Sequence, residues 1–119
     1  MRVYIAVAAV AMFLSTGIAL AHPQLDHAIP PVGSTVASPS EIRIFFSEPL
    51  IPTARSSISL APDGGAPLAM SNSPVNTADP AQMVLKVPSL APGNYLVRWR
   101  AIGIDGHEMS GDYPFEVSR

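Results

Sequence analysis

The 119-residue chain contains no cysteine. Disulfides, thiolate metal sites and cysteine nucleophiles are therefore excluded. Charge is sparse as well: Asp, Glu, Lys and Arg make up 13% of the residues, and the formal net charge is −2. A mildly acidic chain without a basic run lacks the positive face that a nucleic-acid partner requires, so no nucleic-acid binding is expected. No segment after residue 21 keeps an apolar residue at helical spacing. The 13 prolines all fall in residues 22–119. That density excludes a helical bundle, because proline in a helix interior loses a hydrogen bond and clashes with the preceding turn. There is no internal repeat and no charged or low-complexity tail.

What is present begins with a segment that does not belong to the fold. Arg2 is the one charge in the first 25 residues. It precedes an apolar stretch, Val3 to Leu14, then Ser15-Thr16-Gly17 and Ile18-Ala19-Leu20-Ala21. A positive start, an apolar centre and an A-x-A ending describe a secretory signal peptide over residues 1–21. A membrane span needs about 20 apolar residues in a row, and Ser15-Thr16-Gly17 interrupts this one. Cleavage after Ala21 removes Arg2, brings the net charge to −3 and leaves residues 22–119, a length that suits one small domain.

Cleavage would also make His22 the first residue. A histidine at a free N-terminus presents two neighbouring nitrogen donors, the α-amine and the imidazole. The amine has a reference pKa near ~7.7–8.0, so a metal displaces its proton at neutral pH. Pro23 has no backbone N–H to deprotonate, so coordination cannot continue through the next amide. Further donors must come from elsewhere in the fold.

The remainder reads as short strands. Ile42, Ile44 and Phe46 alternate with their neighbours, as do Ile58 and Leu60; Met83, Leu85 and Val87; Tyr95, Val97, Trp99 and Ala101; and Tyr113, Phe115 and Val117. A period of two over four to eight residues marks strands. Weaker runs lie near Leu25–Ile29 and Pro67–Ser71. Pro30-Pro31-Val32-Gly33, Pro62-Asp63-Gly64-Gly65, Asn72 to Pro80 and Ala91-Pro92-Gly93-Asn94 carry turn and loop chemistry. The expected fold is all-β: a single immunoglobulin-like β-sandwich of about seven strands. Phe46, Leu60, Leu85, Tyr95, Val97, Trp99, Phe115 and Val117 are the expected core, with Tyr95 a candidate for a tyrosine corner.

Three histidines are available: His22, His27 and His107. His107 follows Asp105-Gly106. If that segment is extended, Asp105 and His107 project from one face and form half of a metal site. Alone, the same residues read more simply as a strand-end turn, with Asp105 a turn former and His107 exposed. Together with a chain start brought alongside, they give a donor set of amine, two imidazoles and a carboxylate. Nitrogen-rich tetragonal donors suit Cu(II), while zinc would accept the same groups in a tetrahedron. His27 lies five residues from His22 and so on the opposite face of a regular strand, where it reads as a surface residue.

The order of these motifs resembles one family. The A-H start, the run from Pro31-Val32-Gly33-Ser34 through Phe46-Ser47-Glu48, the stretch Leu90 to Arg100, the Asp105-Gly106-His107 element and Gly111-Asp112-Tyr113-Pro114-Phe115 are similar to the periplasmic copper-resistance proteins of the CopC type. The resemblance implies a periplasmic protein that binds one Cu(II) per chain through His22, Asp105 and His107, with Glu48 as an auxiliary residue near the metal. It implies copper sequestration, resistance, or delivery to an inner-membrane transporter or another copper protein, and no enzymatic activity. Some members also hold Cu(I) in a methionine-rich loop. Here Met70, Met83 and Met109 are widely spaced, so no such site is expected. Pro23 departs from the small residue usual after the first histidine. Two other classes fit parts of the pattern: a copper-dependent oxidative enzyme built on an amine-and-two-imidazole site, and a metal-free sandwich used as an interaction module.

Overall fold

The computed structural model describes residues 24–53 and 55–119. The chain runs through eight strands: β1 (Leu25–Ile29), β2 (Thr35–Val36), β3 (Glu41–Phe46), β4 (Ser57–Pro62), β5 (Ala69–Ser71), β6 (Gln82–Lys86), β7 (Gly93–Ile102) and β8 (Glu108–Val117). They form two facing sheets, one of three strands in the order β1-β3-β6 and one of five in the order β2-β8-β7-β4-β5. The immunoglobulin-like sandwich expected from the alternation is present. The strand beyond the expected seven is β2, two residues long and parallel to β8, too short to show any periodicity.

Alternation sets the inward faces. Ile42, Ile44 and Phe46 of β3 and Tyr95, Val97, Trp99 and Ala101 of β7 are buried, while their neighbours face outward or sit at the rim. All eight expected core residues are buried. They are joined by Leu50, Val75 and Leu90, which lie outside the strands and carry no periodic signal. The Asn72–Pro80 segment is a loop, but Val75 is buried within it and bridges Met83 of β6. Each such side chain contributes about 1.5–3 kcal/mol when fully buried.

β7 and β8 pair over their full ten residues, from Gly93↔Val117 to Ile102↔Glu108. Pro114 lies inside β8, yet breaks nothing. β2 pairs only with Glu116 and Val117, so no strand runs alongside Pro114 on the far edge of β8. The Pro114 carbonyl accepts a bond from Gly33 N–H on that edge (2.7 Å), so its nitrogen also faces away from β7. Gly111 answers to a different constraint: a Cβ there would come within 2.7 Å of the Trp99 ring, which lies against the backbone of β8. Tyr95 forms the expected corner, its hydroxyl donating to the Ala91 carbonyl four residues upstream at 2.5 Å.

Candidate metal centre

The turn between β7 and β8 carries the Asp105–His107 pair. Gly103 N–H donates to the His107 carbonyl (3.0 Å), and Gly106 N–H donates to the Gly103 carbonyl (2.8 Å). Gly106 has φ +83°, a conformation that costs little without a Cβ. The segment is therefore a tight turn and not the extended strand considered from the sequence. It still joins the two side chains, by another route. One Asp105 oxygen accepts the His107 backbone N–H (3.0 Å), and the other lies 2.9 Å from His107 Nδ1. An aspartate that bonds the backbone two residues on is a common turn device. Here the same carboxylate also fixes the imidazole. The His107 side chain remains 64% exposed and that of Asp105 29%, so the turn-former and site readings of the sequence describe one structure.

Two further segments are fastened to this end of the sandwich. Leu50, buried, bridges Gly103 in antiparallel fashion, and Ile51 N–H donates to the Ile102 carbonyl (3.0 Å). This ties the stretch after β3 to the root of the turn and places half-buried Glu48 two residues before the bridge. Ser47 holds the start of β1: its N–H donates to the Gln24 carbonyl (2.8 Å), and its hydroxyl accepts from Gln24 N–H (3.1 Å). Sequence reasoning gave Ser47 no role, although its place directly after the strand run was the available signal. The described chain thus starts beside Ser47–Glu48, and Glu48 and the Asp105–His107 turn share that end. His22 and the signal segment 1–21 lie outside the described residues. Among the described residues no three His, Asp or Glu side chains converge as a metal-binding group.

His27 takes a different path. It lies on the outer face of the three-stranded sheet, stacked on Phe45 with ring centroids 4.2 Å apart, and its Nδ1 is 2.9 Å from Asp26 Oδ2. A register shift between Leu25 and His27 accompanies that placement. The three methionines of the described chain are on separate strands, Met70 on β5, Met83 on β6 and Met109 on β8. Met83 is buried.

The family model for the CopC domain matches residues 25–118. Copper resistance protein C of Escherichia coli is 37% identical over 108 residues, covering 83% of this chain and 83% of its own length. Copper resistance protein C of Pseudomonas syringae pv. tomato is 34% identical over 109 residues, covering 87% and 86%. Among solved structures, CopC from Methylosinus trichosporium OB3b superposes with a TM-score of 0.75 at 33% identity, over 82% of this chain and 94% of that one. PcoC, described as a methionine-rich copper resistance protein from Escherichia coli, gives 0.67 at 34% identity, over 82% and 99%.

Proposed function

The chain belongs to the CopC family, and from that premise we propose that it is an exported Cu(II)-binding protein that sequesters the ion or delivers it to a membrane transporter or another copper protein. Copper binding in a resistance role is the broad function the family carries. The finer reading concerns where the ion sits. The observation that carries it is the Asp105–His107 turn, fixed at the end of the sandwich where the described chain starts.

In this reading one Cu(II) is cargo, bound by the His22 amine and imidazole, by Asp105 and by His107. Asp105 also acts through the ring. Its carboxylate holds Nδ1, which fixes the imidazole's orientation and assigns the metal to Nε2; a carboxylate behind a metal-bound histidine also raises its basicity. Each Asp105 oxygen makes a bond within the turn, and a carboxylate oxygen has a further lone pair, so the carboxylate can orient His107 and also coordinate the ion. Gln24 is anchored to Ser47, and two more residues of extended chain reach at most about 7 Å beyond it. That span suits a terminus that folds over Glu48 toward the turn. Glu48 is then an acidic neighbour that favours a cation. Proton competition follows from the donors: Cu(II) must displace protons from the amine and find both imidazoles neutral, so affinity falls as the solution is acidified. Removal of residues 1–21 during export to the periplasm would create the amine ligand. Export and copper binding are linked on this account, and the protein acts as a carrier, not an enzyme.

The test is a Cu(II) titration followed by electron paramagnetic resonance. A tetragonal, nitrogen-rich signal saturating at one equivalent is expected. The same titration on a chain with one residue added ahead of His22 should lose that signal and the affinity with it. Unchanged affinity in the extended chain overturns the terminal ligand, and oxidation of an added polysaccharide substrate by the reduced copper form with oxygen overturns the carrier reading.

A further inference from the structure

We propose that the outward face of the five-stranded sheet is a docking groove for an extended, acidic segment of a partner protein. The inference is independent of the copper reading and uses none of its residues.

Register defines the face. On β4 and β7, Ser57 pairs with Arg100, Ser59 with Arg98 and Ala61 with Leu96; on β5, Met70 pairs with Ser59. Their inward neighbours Ile58, Leu60, Val97 and Trp99 are core, so these residues face out. Three concavities of about 360, 280 and 200 Å³ lie along them. The first two share Ser57, Asn72 and Arg100, and the second and third share Ser59 and Arg98. They are one continuous groove that follows β4, about 17 Å long at a strand rise of roughly 3.3 Å per residue.

Charge identifies the occupant. The protein is acidic overall, yet Arg55, Arg98 and Arg100 all line this groove. Arg100 is held by Glu108 at 2.5 Å. Arg55 and Arg98 carry no ion pair among the described residues, although Asp112 lies opposite Arg98 in the ladder. Guanidinium groups in that state match carboxylates, which they bind in a two-pronged fashion. Ser57, Ser59 and Asn72 add hydroxyl and amide partners between the charges. Met70, 66% exposed, gives an adaptable apolar contact. Toward the other end Ala61, Pro67 and Leu96 line the groove beside Arg98, and Asp63 stands at its limit. The occupant is therefore a strand-like segment whose carboxylates meet the arginines and whose small side chains lie along the rest. An anionic bilayer presents a flat surface and fills a concave groove poorly.

The test uses the metal-free protein in the presence of a chelator, so that copper plays no part. A short fluorescein-labelled peptide alternating Glu and Thr is titrated and followed by anisotropy. Saturable binding is expected, weakening steeply with salt, and absent when every Glu is replaced by Gln. The double substitution Arg55→Glu with Arg98→Glu should weaken binding by at least about tenfold. Both residues are exposed and carry no ion pair among the described residues, so the near-ultraviolet circular dichroism of buried Trp99 should not change. Equal binding of the Glu and Gln peptides, or equal binding by the parent and the double variant, overturns the proposal. So does binding to phosphatidylglycerol vesicles with no binding of the peptide, which would assign the face to a membrane.

Discussion

At its open end the β7–β8 pair packs its inward face into the core. Tyr95 is buried, stacks on Phe115 with centroids 5.8 Å apart and ties its hydroxyl to Ala91, while β2 covers Glu116 and Val117. At its closed end the same pair finishes in an exposed turn, where Asp105 and His107 bond to each other. The contrast separates two tasks. One end contributes to the stability of the sandwich. The other presents polar groups whose loss the sandwich should hardly notice. Substitutions at one end should leave the property of the other untouched, and the comparison breaks wherever they do not.

The largest effect is expected at the closed end. His107→Ala should weaken Cu(II) binding by roughly a hundredfold or more, since removing even a partner of a metal-bound histidine costs 10–100-fold. The residue is exposed, so urea melts should move by no more than about 0.5 kcal/mol. Competition titration against a copper chelator reads the first quantity. An unchanged affinity would remove His107 from the site, and a large loss of stability would show that the turn holds the fold together.

Next in size comes Gly111→Ala, within the packed part of β8. A Cβ there meets the Trp99 ring at 2.7 Å, and Trp99 also packs edge-on against Phe46 at 5.0 Å. The indole cannot yield without disturbing the core. Overpacking of this kind costs about 1–3 kcal/mol, read as a lower urea midpoint. Copper affinity at native conditions should stay within about twofold, because Gly111 lies four residues beyond His107 along β8 and two-state unfolding leaves the folded site intact.

That division bears on what could be read from the residues beforehand. The sandwich was legible because inward and outward residues alternate strictly on β3, β7 and β8. Leu50, Val75 and Leu90 were not, since a single buried residue in a loop has no period. The D-x-H spacing pointed to the right pair for a reason that failed in detail: a turn closed by Gly106 joins Asp105 to His107, not an extended strand. The arginine groove was invisible, because Arg98 and Arg100 meet Arg55 only through the β4–β7 register. The role of Ser47 likewise exists only once Gln24 is placed beside it.

A smaller effect distinguishes two tyrosines by the same substitution. Tyr95→Phe removes a hydroxyl that donates to Ala91 and should cost about 1 kcal/mol, with copper affinity unchanged. Tyr113 is also buried, midway along β8 opposite Val97, but its hydroxyl is shielded from solvent and has no hydrogen-bond partner among the described residues.

Tyr113→Phe should therefore act in the opposite direction. A buried hydroxyl without a partner gives up hydration for nothing, so its removal should be neutral or stabilising by up to about 1 kcal/mol at neutral pH. Burial also pushes the Tyr113 phenol far above its ordinary value by penalising the charged form. In the unfolded chain the phenol ionises near pH ~10. Below that pH both states hold the proton and stability does not depend on it. Above it the unfolded state releases the proton while the folded state keeps it, so stability falls as pH rises. This single group contributes a slope of up to about 1.4 kcal/mol per pH unit. Urea melts of the parent and Tyr113→Phe between pH 7 and 11 should agree or favour the variant at neutral pH and diverge further in its favour above pH ~10. If Tyr113→Phe instead loses as much stability at pH 7 as Tyr95→Phe, the hydroxyl has a buried partner, such as an internal water, and the middle of the hairpin is as fully bonded as its open end.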